Sequence, residues 1–347
     1  MHVAVVGAGI IGCAVAHELA ARGVRVDVFD RRGVARGASW ASAGVLAPWI
    51  EAHHRGPLLE MCVDSLSMWD SYVERLRTDG APAFEYGRPG TLDAALTDDS
   101  AARLNDAAAE LSASGVRADW IEGAAARALE PCLSPDIVGA LRIEGHGFVE
   151  MPGVVEAISV AGRMRGAVFH QPADVTKIEA APGGRVRLRI DDATLTFDHV
   201  VIAGGAWANR LKPGTPGVKP IKGQLVRLSF DLPPASHVLW SDVCYMVPWR
   251  DGTLLVGATM EDVGFDERTT ASGVHELLAA AVRLVPAAAD ATFVDVRAGL
   301  RPAPVDESIP FVGPAPTLAN VTVATGHFRN GVMLAPWTAA RVAALVL

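Results

Sequence analysis

Cysteine is scarce in this 347-residue sequence: Cys13, Cys62, Cys132 and Cys244 are far apart and form no Cys-x-x-Cys pair. That spacing excludes a disulfide framework and a structural zinc site, and it fits free thiols in a reducing compartment. Tyrosine is scarcer still, with three residues. No apolar run is long enough to span a bilayer. The stretch Val3 to Ala16 stops at His17 and Glu18, lacks a basic flank, and carries glycines that another motif explains, so it does not read as a signal peptide. Basic charge is also short, with 31 Lys and Arg against 39 Asp and Glu and a formal net charge of -8. This argues against nucleic acid, whose phosphates reward a basic face. A small anionic ligand stays open, because one arginine can dominate the field of a pocket. The chain is expected in the cytoplasm, without membrane contact.

What is present is an ordinary globular composition, half apolar and one fifth charged, with length for two domains and no internal repeat. The amino terminus carries the clearest motif. His2 to Val6 reads as a short buried strand, and Gly7-Ala-Gly-Ile-Ile-Gly12 follows at once. Ile10 to Arg22 reads as a helix closed by Gly23, and Val24 to Asp30 as a second strand. In such a β-α-β unit Gly7 permits the tight turn, Gly9 lets backbone approach a pyrophosphate, and Gly12 lets helix pack on strand. The helix N-terminus offers N–H groups to phosphate. Asp30 stands where an acid accepts from a ribose hydroxyl, and its charge disfavours a 2′-phosphate. The unit predicts a dinucleotide without separating NAD from FAD.

Three further segments bear on that choice. Arg31 to Leu46 is rich in small residues and has no clean period, which fits backbone beside a large flat ligand or an ordinary surface loop equally well. Val200-Val-Ile-Ala-Gly-Gly205 ends an apolar strand in a glycine pair. Val321 to Val332 runs from a strand through Gly326 and Gly331 into an apolar helix, whose N-terminus is expected to face a partly negative ligand atom. Three strand-to-helix glycine turns can thus converge on one extended cofactor.

With these segments the sequence resembles the D-amino-acid oxidase superfamily of flavoenzymes, and within it the glycine oxidase branch linked to thiamine synthesis. The resemblance is carried by Gly7–Gly12, Ser42-Ala-Gly-Val-Leu46, Cys244-Tyr-Met-Val-Pro248, Leu255-Val-Gly-Ala-Thr-Met260, Gly299-Leu-Arg-Pro302 and Gly326-His-Phe-Arg-Asn-Gly331. It implies non-covalent FAD. Relatives that attach flavin covalently use a cysteine in the carboxyl half, where this chain has only Cys244, in a strand motif. The cofactor positions it implies are Gly7, Gly9, Ile10, Ile11, Gly12, Asp30 and Arg31, then Ser39, Ser42, Ala43, Gly44 and Val45. Further along they are Val175, then Gly204, Gly205 and Trp207, and finally Arg301, His327, Phe328, Arg329, Asn330 and Gly331.

Arg301 reads from its neighbours either as a structural ion pair, for example with Asp306 or Glu307, or as a ligand anchor. Tyr245 and Met260 read as core side chains or pocket walls, and Arg329 as a surface or a pocket residue. The resemblance implies that Arg301 and Tyr245, the catalytic pair, bind the substrate carboxylate, with Met260 over the pocket and Arg329 as a further contact. A guanidinium fork suits a carboxylate. His327 is not read as a general base, since the family needs none at the α-carbon. No Ser/His/Asp triad and no metal-ligand cluster is legible, and His53-His54 lacks partners. Trp40, Trp49 and Trp249 depart from the family pattern and are placed to narrow or cap the pocket.

The expected fold is α/β: a Rossmann-like FAD-binding domain (1–80, 141–211 and 296–347) with an inserted α+β substrate domain (81–140 and 212–295) on a mixed or antiparallel sheet. The implied reaction is oxidative deamination of glycine, sarcosine, D-alanine or D-proline, by hydride transfer to flavin N5 and with oxygen as acceptor. The products are 2-oxo acid, ammonia and hydrogen peroxide. The alternative is a D-amino-acid or secondary-amine dehydrogenase that passes electrons to a quinone. A homo-oligomer fits the family, which includes tetramers.

Overall fold

The computed structural model describes all residues except 52–55, 213, 215–216 and 306–308. His53, His54, Asp306 and Glu307 therefore lie outside the described residues. Strand β1 (His2–Val6) runs into helix α1 (Ile10–Ala21) and strand β2 (Arg25–Phe29), as the motif predicts. Gly23 takes φ +79°, the left-handed turn that ends a helix. Helix α1 is apolar on nearly every side because it is covered on nearly every side: it lies between the sheet and the helices Gly153–Met164 and Ala335–Val346. Its last turns carry two polar side chains inward, and each finds an oppositely charged or hydrogen-bonding partner, although His17 Nδ1 has none among the described residues. His17 pairs with Asp79 at 2.7 Å, and Glu18 takes Arg22 and Arg75 at 2.7 and 2.6 Å.

The nucleotide half is built on a six-stranded sheet in the order 311–314, 321–325, 199–202, β1, β2, 168–170, parallel except for the first edge strand. The three strands that end in glycine turns, β1, His199–Ile202 and Val321–Thr325, are consecutive neighbours. Their carboxyl ends meet at one edge, where open α/β sheets hold ligands.

The second half is an eight-stranded mixed sheet in the order 292–304, 218–229, 253–257, 245–248, 238–241, 91–95, 139–143, 118–122. Its outer face buries Val226, Leu239, Met246, Leu254 and Val256 against the helix Ala271–Leu284. Its inner face carries Tyr245, Gly257, Leu225 and Arg297 opposite one another in one row of the ladder. The expected helix near Asp99–Ala113 spans Asp98–Ala113, capped by the Thr97 and Ser100 side chains. The expected boundary at 295/296 falls inside the strand Thr292–Pro304, which pairs along the whole of Val218–Ser229. The ladder thus carries residues 292–304 with the eight-stranded sheet, where hydrogen bonding holds Arg301 in register. No helix among the described residues is long and apolar enough to cross a membrane.

Candidate functional site

One cavity runs along the carboxyl edge of the six-stranded sheet and continues under the inner face of the eight-stranded sheet. Its nucleotide end is lined by Gly7, Gly9, Ile10, Ile11, Asp30, Arg31, Val175, Gly204, Gly205 and Trp207. A Cβ on Gly7 would stand 2.4 Å from the Ala203 carbonyl oxygen, and φ there is +109°, so both space and conformation call for glycine. Gly12 does not reach the cavity. A Cβ on it would lie 1.8 Å from the Gly7 carbonyl oxygen, so it serves helix-to-turn packing, the task read for it from the motif. The N-cap residue Gly9 brings no side chain to the start of α1 and the first turn has no acid, so no negative charge offsets the dipole end that faces the cavity. Ser39 fastens the small-residue loop to this turn by accepting from the Ile10 N–H at 3.0 Å. Asp30 accepts three backbone N–H groups, from Ala8, Arg32 and Gly33, at 2.7 to 2.8 Å. A carboxylate has about four lone-pair sites, so these contacts fix its orientation and still leave capacity for a hydroxyl.

The middle of the cavity is the loop Ser39, Ser42, Ala43, Gly44 and Val45, all on the wall, with Gly37, Ala38 and Ala41 beside them. Gly299 is bare because Ala41 Cβ and Ala38 Cα lie within 3.0 Å of where its Cβ would be. On the far side stand His327, Phe328, Arg329 and Gly331. The turn here differs from the expected helix start: the helix begins at Ala335, and residues 331–334 form a turn before it. Asn330 is buried in this turn, with its N–H donated to the His327 carbonyl at 2.8 Å, and it does not line the cavity. His327 is buried and bonded to Thr338 Oγ1 at 3.0 Å. Burial pushes its imidazole down to about 3, so it stays neutral and is not poised as a base.

Arg301, Tyr245 and Met260 line the remaining end. Arg301 donates from Nη1 to the Thr259 carbonyl at 3.0 Å, and its guanidinium lies across Gly223, where a Cβ would come within 2.2 Å of it. Tyr245 lies across Gly257 in the same way, its hydroxyl 2.4 Å from the position of a Cβ. Trp240 stacks on Tyr245 with ring centroids 4.8 Å apart. A neighbouring arginine, Arg297, does not line the cavity: it is 5 % exposed and laid over the Trp40 ring at 4.4 Å. Met260 and Arg329 are exposed at the mouth.

The tryptophan expectation is corrected. Trp40 is held between Arg36 and Arg297, Trp49 stacks on His146, and Trp249 is packed in a separate core, so none lines this cavity. Trp240 does, and sequence reasoning missed it, along with Arg32, Arg36, Arg210 and the run Ser241–Cys244. Their only local signal was nearness in sequence to Tyr245, Asp30 or, for Arg210, Trp207. Cys244 reaches the wall, but burial pushes its thiol up to about 12 and keeps it protonated. Among the described residues no group of three or more His, Cys, Asp and Glu could hold a metal ion.

A glycine-lined, phosphate-ready strand edge continuous with a flat, small-residue slot defines a flavin dinucleotide site, and the residues present fit FAD. The chain belongs to the FAD dependent oxidoreductase family, whose model matches residues 2–345. It is 34% identical over 349 residues to the glycine oxidase of Geobacillus kaustophilus, covering 99% of this chain and 92% of that one. It is also 34% identical over 353 residues to the bifunctional protein ThiO/ThiG of Synechocystis sp., of which it spans 51%. The crystal structure of the Geobacillus kaustophilus glycine oxidase superposes with a TM-score of 0.95 at 33% identity, covering 99% of this chain and 94% of that one. The chain is thus an FAD-dependent amino acid oxidase in class.

Proposed function

We propose that this enzyme oxidises the C–N bond of glycine or a similarly small amino acid, among them sarcosine, D-alanine and D-proline, in the cytoplasm and with oxygen as acceptor. The observation that carries the reading is the pair Arg301 and Tyr245, each laid over a bare glycine on the inner face of the substrate sheet and each turned to the cavity. Arg301 supplies a planar fork for a carboxylate, and the Tyr245 hydroxyl donates a further hydrogen bond to it. Clamping the carboxylate fixes where the adjoining α-carbon sits, which is most of what positioning contributes to rate. FAD, held by the nucleotide end and the small-residue loop, would supply the two-electron acceptor for that carbon, with oxygen as the final acceptor.

The chain's own residues supply orientation and exclusion. His327 is neutral and engaged with Thr338, so no imidazole competes for the α-proton. The amine must arrive or become neutral, because its lone pair drives the departing hydride. Trp240, stacked on Tyr245, walls the cavity beside the carboxylate anchor and favours a small side chain. The imine then hydrolyses to the 2-oxo acid and ammonia, and glycine yields glyoxylate. The relation to ThiO/ThiG supports a role in thiamine synthesis, where the imine itself is used.

The test is anaerobic mixing of holoenzyme with a panel of small amines while the yellow absorbance is followed, with peroxide assayed under air. Glycine or sarcosine is expected to bleach the flavin and to give peroxide. A flavin that no small amine bleaches ends the reading. Bleaching without peroxide moves it to a quinone-linked dehydrogenase.

A further inference from the structure

We propose that residues 260–270 form a strap that holds FAD in its cavity, fastened by the Arg32–Glu267 ion pair laid on the Trp207 ring. The proposal rests on the FAD reading of the cavity. The segment leaves the substrate sheet at Met260 and returns at the helix Ala271–Leu284. Between these points it makes one isolated bridge, Glu261 to Lys222, and no other regular structure.

Its two roots are tied to one strand. Glu261 accepts from Gln224 Nε2 at 2.7 Å and Thr259 Oγ1 at 2.6 Å, and pairs with Lys222 Nζ at 2.8 Å. Lys222, 1 % exposed, also donates to the Arg268 carbonyl at 3.2 Å. Gln224 Oε1 accepts from the Thr270 N–H at 2.8 Å, so Gln224 and Lys222 hold both ends of the segment.

The tip crosses to the other half of the molecule. Arg32 Nη1 donates to both carboxylate oxygens of Glu267, at 3.0 and 2.8 Å. The Arg31 and Arg32 guanidiniums lie 4.8 and 4.4 Å from the Trp207 ring centre, and Phe265 lies 5.8 Å from it. Arg31, Arg32 and Trp207 are all cavity wall, beside Asp30 and Gly205. Gly37 is bare where a Cβ would stand 2.8 Å from Arg32 Nη2 and 3.5 Å from Trp207, so the loop leaves room for this stack. The segment therefore runs from the substrate end of the cavity to its nucleotide end.

The contrast between roots and tip marks a fastening that opens. On the strand side the roots are held by the fully buried Lys222 and Gln224. At the tip Val263 and Phe265 are 46% and 55% exposed, and the Arg32–Glu267 pair is about one third exposed on each side. Exposed pairs are individually weak and screened by salt, so the tip can release while the roots hold.

FAD release is measured as the rise of flavin fluorescence after dilution of holoenzyme. Glu267→Gln is expected to speed release about fivefold at low salt, and Phe265→Ala by a similar factor of about five. High salt is expected to bring the wild-type rate up to that of Glu267→Gln. Release rates of both variants within about twofold of wild type, below what one weak contact contributes, overturn the strap. This readout uses no substrate, so failure here leaves the oxidase reading standing, and failure of that reading leaves the strap standing.

Discussion

In the nucleotide half, glycine brings main chain up to main chain or to ligand. Gly7 has φ +109°, Gly44 has φ +74°, and a Cβ on either would strike a carbonyl oxygen, that of Ala203 or Val149. In the substrate sheet, Gly223 and Gly257 have no positive φ, and what a Cβ would strike is a side chain, the Arg301 guanidinium or the Tyr245 ring and hydroxyl. The first kind of glycine binds through the backbone and so is written as a contiguous motif. The second kind clears space for a side chain on the neighbouring strand, Gly223 for Arg301 and Gly257 for Tyr245 across a hairpin. The first kind is therefore legible as a motif even though the carbonyls it meets are distant in sequence, whereas the second is explained only by strand register.

The comparison is broken most severely at Gly12. Gly12→Ala places a methyl of helix α1 1.8 Å from the Gly7 carbonyl oxygen. It is expected to cost about 3 kcal/mol or more and to yield protein without flavin, read by thermal unfolding and by absorbance of the purified chain. Normal flavin content would remove Gly12 from the packing argument. Arg301→Ala is expected to leave FAD bound while raising KM for a small amino acid about a hundredfold, the scale of losing one partner of a close charge pair. Unchanged kinetics would make Arg301 structural.

A finer cut separates the two kinds of glycine. Gly257→Ala forces the Tyr245 ring to move and is expected to raise KM about tenfold with flavin content unchanged. Tyr245→Phe, which loses one hydrogen bond, is expected to raise it about fivefold. If Gly257→Ala loses flavin instead, the substrate sheet is not separable from cofactor binding.

The smallest effect concerns Asp93, opposite Trp240 in the ladder and therefore in the row of Tyr245. It is 8% exposed, and burial pushes its carboxyl up to about 7, with Asp242 adding to the rise and Arg103 opposing it. A carboxyl raised on folding stabilises the native state below its unfolded pKa of about 3.9 and loses that contribution as pH climbs to about 7. Wild-type melting temperature is expected to fall between pH 5 and pH 8, and Asp93→Asn to flatten the fall. Parallel profiles for the two proteins would show that Asp93 is not the group responsible.

His327, Phe328, Arg329 and Gly331 of the motif Gly326–Gly331 line the cavity, but the chain there turns through 331–334 before its helix begins, and Asn330 is buried away from it. Trp249 and Trp240 show the limit more sharply. Both sit near Tyr245 in sequence, yet Trp249 packs into a core with Leu225 and Val247, while Trp240 stacks on the tyrosine and faces the cavity. Nothing in their immediate neighbours distinguishes them: Trp240 is paired with Tyr245 across the ladder, whereas Trp249 lies past the end of the strand Tyr245–Pro248, where its N–H donates to the Thr253 carbonyl. Arg32 and Glu267 are equally silent, being 235 positions apart until the two halves close.

The sequence by itself determined the strand–turn–helix–strand unit with its acid at Asp30, because each of those tasks is set by backbone conformation and contacts within about thirty residues, the span of such a unit. It also marked Arg301 and Tyr245 through the resemblance. The tertiary structure alone decided that three glycine turns share one sheet edge, that Gly223 and Gly257 leave room for those two side chains, and that Trp240 walls the pocket. Those outcomes depend on cross-strand register and on packing between distant segments, which no local pattern encodes.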